Sequence, residues 1–287
     1  MNELSPQLLI KDSFKLFSLP DIYFQIAEMI NDPRFTASDM GKVISIDPGL
    51  SARLLKVVNS SFYGFQARID TISRAITIIG TEDLHALVLA TTVIDKFSNI
   101  PSELVNMTDY WLRCVHTGII AKLLAKKTAV LHSERLFMTG LLHDIGSLIL
   151  YSKLPEKSRD VLLSANNDRR LVGGLEQEII GFTHADVGAA LIKSWGLPES
   201  LYEAVACYLN PDLAQAHKLD AYLLYLASRL TDISQQYDSV DKLLIELSNE
   251  GLSIIRLDTE QILAVKKQAD EEFTDIFELM APGKSFH

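Results

Sequence analysis

The chain has 287 residues, 48% of them hydrophobic and 22% charged, with a net charge of −10. That length exceeds the usual single core and predicts two packed units or one elongated helical body. The acidic balance argues against non-specific binding to nucleic acid, which needs Lys and Arg clustered along the phosphates.

The short basic pairs Lys126-Lys127 and Arg169-Arg170 read as solvated helix faces. Cys114 and Cys207 sit in apolar, helical contexts and read as buried thiols rather than a disulfide framework. The start of the chain lacks the basic-then-apolar order of a signal peptide. No apolar run approaches the ~18 residues of a membrane span. A soluble, cytoplasmic protein without membrane contact is expected.

Nearly every segment reads at helical period, and the spacing predicts an all-α fold. Leu19-Pro20 opens a helix with Ile22, Ile26, Met29 and Ile30 on one face. Ser38 is placed to cap the next short helix, through Met40, Val43 and Ile44. Asp47-Pro48 is a compact start signal for a helix carrying Leu50, Leu54, Leu55 and Val58. Ile72 to Ile79 forms another helix, stopped by Gly80, and Thr81 caps the one after it.

The polar stretch around Ser98 to Thr108 marks the first boundary, and a long helix follows from about Asp109 to Ala129. Ser133-Glu134 starts a helix predicted to run unbroken to about Ser152. Pro155 and Gly173-Gly174 read as breaks in a more polar stretch. Thr183 caps a helix ending at Trp195-Gly196, and Pro198 starts the next, to about Leu209. Leu219 to Leu230 is helical, and the remainder reads as two amphipathic helices, around 240–247 and 260–280.

The residues that carry chemistry are a His143-Asp144 doublet and His116, one helix earlier. Neighbouring side chains on a helix project about 100° apart, close enough to converge on one ion. Imidazole plus carboxylate suits a divalent metal that activates water. His116, His143 and Asp144 are expected to converge.

The first half carries Leu19-Pro20, Ile46-Asp47-Pro48-Gly49-Leu50, Val58-Asn59-Ser60 and Ile72-Ser73-Arg74-Ala75-Ile76 with Ile79-Gly80. The second carries His116, His143-Asp144-Ile145-Gly146, then His184 to Gly188 and Trp195-Gly196-Leu197-Pro198. In this order and spacing the chain resembles the HDOD family of bacterial signalling proteins, an offshoot of the HD metal-dependent phosphohydrolases. The match covers roughly residues 14–230. The resemblance implies an N-terminal helical subdomain over 1–105 and an HD-like helical core over 106–230, followed by a C-terminal helical extension over 231–287. It also implies a metal pocket holding His116, His143, Asp144 and His184.

The departures from the HD-GYP pattern weigh more. A His pair in catalytic relatives falls where this chain has Tyr208-Leu209, their closing Asp falls at Ser228, and a phosphate-contacting Lys falls at Ser147. Each site residue also has a plain structural reading. His116 lies among Leu112, Ile119, Ile120 and Leu123 and reads equally as a core histidine. Gly140 and Gly146 flank His143 three residues either side, which fits tight helix packing around a structural His-Asp pair. Cys207 reads as a small buried residue, and His85, His132 and His217 as surface residues.

One secure carboxylate and up to three imidazoles suffice for zinc, nickel or iron but not for a two-metal phosphate centre. No catalytic residue and no required cofactor are therefore assigned, and a residual divalent transition metal stays compatible with the pocket. Two functions stand: a non-catalytic signalling module, or a metal-dependent phosphohydrolase acting on a nucleotide or cyclic dinucleotide. Ligand completeness favours the first. Its expected partners are other signalling proteins, together with a small-molecule or nucleotide ligand in the pocket.

Overall fold

The structure, a computed structural model, describes residues 4–11, 17–60, 63–97, 103–131, 133–232 and 237–280. The fold is all-α, and no strand occurs among the described residues. His132, read above as a surface residue, lies outside them. No helix among them is long and apolar enough to cross a membrane.

Two compact units divide the chain: Met1–Ser18 with Ile100–Lys267, and Leu19–Asn99 with Gln268–His287. This partition differs from the boundaries read at 105 and 230. The first eighteen residues group with the HD-like part, and α1 (Pro6–Lys11) buries Leu9 and Ile10 there. The indole N–H of Trp195 donates to the carbonyl of the wholly buried Phe17 at 2.8 Å, which fixes the segment in place. Tethering of this kind was not visible from periodicity, because the two partners are far apart in sequence.

The second unit is built from α2 (Asp21–Asn31), α3 (Ala37–Ile44), α4 (Pro48–Val58), α5 (Ile72–Ile79) and α6 (Thr81–Phe97). Tyr23, Ile26 and Met29 form the buried stripe of α2, while Ile22 and Ile30 are only half-buried. Thr36, not Ser38, caps α3: its hydroxyl accepts from the Asp39 amide, and Asp39 returns a bond from the Thr36 amide. Three-residue spacing between an acceptor and an acid is what a capping box requires, and Ser38 lacks it. The start signal at Asp47-Pro48 is used as read, with Asp47 Oδ1 accepting from the Leu50 amide at 2.9 Å. Gly80 ends α5 at φ +87°, a conformation L side chains avoid.

Asn59 has an architectural task within this unit. Its amide nitrogen donates to the Ile69 carbonyl at 2.7 Å, and its oxygen accepts from the Ile69 amide at 2.7 Å. His85 is not a surface residue: it is half-buried and stacked on Tyr23, with ring centroids 5.0 Å apart.

Most of the first unit is formed by α7 (Met107–Lys127), α8 (Glu134–Leu142), α9 (Ile145–Lys153), α10 (Pro155–Ala165), α11 (Val172–Ile179), α12 (His184–Ser194), α13 (Glu199–Cys207) and α14 (Lys218–Asp232). Three helices follow, α15 (Tyr237–Ile245), α16 (Asn249–Ile255) and α17 (Thr259–Met280), where the sequence reading had two. Ser248 caps the added one by accepting from the Gly251 amide. Gly173 and Gly174 lie inside α11 rather than breaking a helix.

The helix expected to run from 133 to 152 is broken at His143-Asp144 into α8 and α9. His143 Nδ1 donates to the Gly140 carbonyl at 2.6 Å, a side-chain bond to the backbone that competes with the helical ladder. Two close crossings hold the break. A Cβ on Gly140 would lie 2.6 Å from Gly118 Cα of α7, and one on Gly146 would lie 2.0 Å from the His184 carbonyl oxygen. Backbone stands against backbone at both places, so neither crossing admits a methyl group.

Gly140→Ala and Gly146→Ala should each destabilise the chain by about 2–3 kcal/mol or more. Gly174→Ala, where a Cβ meets nothing within 4 Å, should change stability by less than about 1 kcal/mol. Thermal melts of the three variants make the comparison. If Gly146→Ala melts like the parent, the crossing is not tight.

Removing the Asn59 clamp by Asn59→Ala should lower stability by about 1–2 kcal/mol. Denaturant titration reads this directly, and an unchanged midpoint would refute the clamp.

Candidate functional site

The helix break projects His143 and Asp144 into a pocket of about 370 Å³ in the first unit. Ser147, His184, Tyr208, Arg113 and Arg169 also line it. Of the four residues the resemblance implied, His143, Asp144 and His184 thus share one wall. His116 is buried on α7 and is not among the lining residues.

His143 is 1% exposed, and burial pushes its imidazole down to about 4, only partly offset by the neighbouring Asp144 carboxylate. It is neutral near pH 7. With its Nδ1–H given to Gly140, the lone pair of the neutral ring is on Nε2. That is the tautomer in which a histidine serves as a ligand.

His184 is in the opposite state. Burial opposes its charge, but the Glu176 carboxylate, bonded to it, together with Asp144 and Asp186 outweighs burial and raises it to about 9. Glu176 Oε2 accepts from both the backbone amide of His184, at 2.8 Å, and its Nδ1, at 2.6 Å. The other ring nitrogen, Nε2, is 2.5 Å from the Tyr208 hydroxyl. Thr183 sets the register by capping α12, with Asp186 completing the box.

Asp144 remains a carboxylate well inside the wall, 6% exposed. Burial works against its charge, and His184, His143, Arg169 and the Ser147 hydroxyl together outweigh it and lower its pKa. Ser147 donates to Oδ1, and Arg169 lies 4.0 Å from Oδ2. Arg169 thus lines the pocket from an exposed position, and its neighbour Arg170, also exposed, pairs with Asp168 at 2.5 Å.

Tyr208 fills the position read as an altered histidine. Its ring stands edge-on to His143, with centroids 5.4 Å apart at 82°, while its hydroxyl meets His184. Ser228, at the closing-Asp position, lines the pocket but donates its hydroxyl to the Tyr225 carbonyl at 2.9 Å. Cys207 is half-buried, and burial raises its thiol pKa; it has the character of a packing residue rather than a thiolate. His217 is half-buried, its backbone amide donating to Glu203.

A divalent metal, which the HD resemblance implies, does not fit this donor set. Both nitrogens of His184 are engaged by protein groups, and an imidazolium offers no lone pair. Among the described residues, no three His, Cys, Asp or Glu side chains are placed to hold an ion. Sequence reasoning missed Glu176, Arg113 and Arg169. An acid eight residues before His184 reaches it only through the turn between α11 and α12, which no local pattern announces.

Comparison with known proteins places this geometry. The family model for the HDOD domain matches residues 16–211. A curated relative from Treponema pallidum, an uncharacterized protein, is 27% identical over 259 residues, or 87% of this chain. The chain spans about half, 48%, of that relative's length. A Shewanella amazonensis structure, provisionally named a phosphohydrolase, superposes with a TM-score of 0.76 at 23% identity, covering 95% of this chain and 98% of that one. An HDOD domain protein of unknown function from Geobacter sulfurreducens gives 0.75 at 22% identity, with 92% of each chain covered. At such identities the likeness carries the fold.

The two imidazoles impose opposite pH limits on stability. His184, raised to about 9 from an ordinary 6.5, contributes fully below pH 6.5 and loses its contribution as pH rises through 9. His143, lowered to about 4, contributes fully above pH 6.5 and loses its contribution as pH falls through 4. The melting temperature should therefore peak near pH 6.5, and His184→Gln should flatten the alkaline limb. Equal falls between pH 6.5 and 9 in both proteins would mean that His184 is not charged in the fold.

Proposed function

The chain belongs to the HDOD domain family, and we propose that this member is a non-catalytic signal-transduction module. It acts through contacts with other signalling proteins, or through a small molecule such as a nucleotide held in the pocket beside His143. One observation carries the reading: the residues standing at the catalytic positions turn inward. Ser147 bonds Asp144 and Ser228 bonds a backbone carbonyl; of the aspartates lining the pocket only Asp144 is buried, while Asp168 and Asp232 are paired with Arg170 and Arg113, which supports a wall that does not gather carboxylates around a phosphate centre.

The net charge of −10 supports protein partners rather than nucleic acid. A cytoplasmic site of action fits the thiols, which are both free. No cofactor is required for such a role.

The expected outcome is no hydrolysis of phosphodiesters, mononucleotides or cyclic dinucleotides with added manganese, nickel, iron or magnesium. Robust metal-dependent turnover that Asp144→Ala abolishes would overturn the proposal and make the chain a phosphohydrolase.

A further inference from the structure

We infer that the pocket is an anion receptor: it takes one small organic anion, a flat apolar body bearing a phosphate or carboxylate, whose charged head is held by Arg169 and Arg113. The inference rests on the non-catalytic reading of the same pocket and names the class of its ligand. Five cationic side chains line the wall, Arg113, Arg169, Arg170, Arg229 and the charged His184, against four aspartates, in a chain whose net charge is −10. The charges nearly balance, but the hydrogen-bonding groups do not. A guanidinium carries five N–H donors in a fixed fork. Arg113 gives one nitrogen to Asp232. Arg169, its side chain 45% exposed, stands 4.0 Å from Asp144 and makes no hydrogen bond among the described residues. Three of the four carboxylates are occupied, Asp144 by Ser147, Asp168 by Arg170 and Asp232 by Arg113. The surplus is therefore in donors of the kind that meet an oxyanion with two parallel bonds.

Arg113 and Arg169 address the same space. Arg113 stands on α7 one turn after Tyr110, and Arg169 follows α10 by way of Asn166 and Asn167, both in left-handed backbone at φ +46° and +66°. Each guanidinium offsets part of the burial that raises the Cys114 thiol, so both lie within electrostatic reach of one buried group. Tyr110, Tyr151, Tyr208 and Tyr225 give the pocket ring surface for an apolar body. Tyr110 is 3% exposed, and its hydroxyl has no oxygen or nitrogen partner among the described residues; its neighbour is the weakly bonding Cys114 thiol. The protein thus leaves a second polar group of this wall unanswered. At about 370 Å³ the space is near the lower end of small-molecule pockets, roughly 300–1,000 Å³, and suits one ring system rather than a dinucleotide.

The test is calorimetric binding to the full chain with EDTA present, using adenosine 5′-monophosphate, indole-3-acetate, adenosine and inorganic phosphate as probes. The first two carry both head and body, and at least one of them should bind saturably with one site per chain. Which of them binds separates a phosphate head from a carboxylate. Adenosine and phosphate alone should each bind about tenfold more weakly or worse. Arg169→Gln and Arg113→Gln should each weaken the binding by about tenfold or more. Arg159→Gln removes the same charge from α10 outside the pocket and should leave binding unchanged. Arg169 is exposed, so its variant keeps the test open if Arg113→Gln fails to fold, and circular dichroism checks each protein. The inference is overturned if neither head-and-body probe binds at millimolar concentration, if folded Arg169→Gln binds like the parent, or if Arg159→Gln loses as much. Binding is read without metal and turnover only with it, so the inference and the non-catalytic reading can fail separately.

Discussion

The backbone contacts on either side of His143-Asp144 are the constraint from which the rest of the first unit follows. Gly140 meets Gly118 of α7, and Gly146 meets His184 and Gly188 of α12, so two helices approach the doublet more closely than any side chain permits. Because the helices close in, His143 can reach the Gly140 carbonyl and the ladder can break without exposing polar backbone to solvent. The same proximity brings His184 to Asp144 without a residue between them. The pocket is in this sense a product of packing before it is a product of chemistry.

Within it, two histidines in one small volume adopt opposite charge states for separate physical reasons. Burial dominates at His143, where the only oxygen on its Nδ1 is a neutral carbonyl. At His184 a carboxylate lies on one ring nitrogen and a phenol on the other, and the paired charges offset desolvation. Glu176 and Asp144 balance His184 and Arg169, so the wall holds its charges in neighbouring pairs. A pocket balanced internally has little electrostatic need for an added cation.

Much of the fold was legible because it rests on local patterns. Asp47-Pro48, Thr183 and the Ile72-to-Ile79 run work through residues three or four positions apart, and each element appears where the pattern places it. The flanking glycines of His143 were legible as close-packing positions for the same reason. What could not be read depends on groups distant in sequence. Phe17 anchors the chain's start through Trp195, and Glu176 reaches His184 around a turn. The break at His143 was hidden because its apolar flanks, Leu141-Leu142 and Ile145, continue the helical spacing across it. Periodicity reports where a helix is favoured and is blind to a side chain that takes a carbonyl from the ladder.

The Asn59 clamp has a consequence for how the chain begins to fold. It joins residues only ten positions apart, through two bonds to the backbone of a single residue, Ile69. Closing a loop of that length takes about 10–100 ns and carries a small entropy penalty. The turn after α4 thus joins the helix caps among the contacts whose partners can meet early, whereas the pocket draws on helices that are far apart in the sequence. Sequence separation therefore favours the second unit's local turns forming ahead of the first unit's long-range crossings.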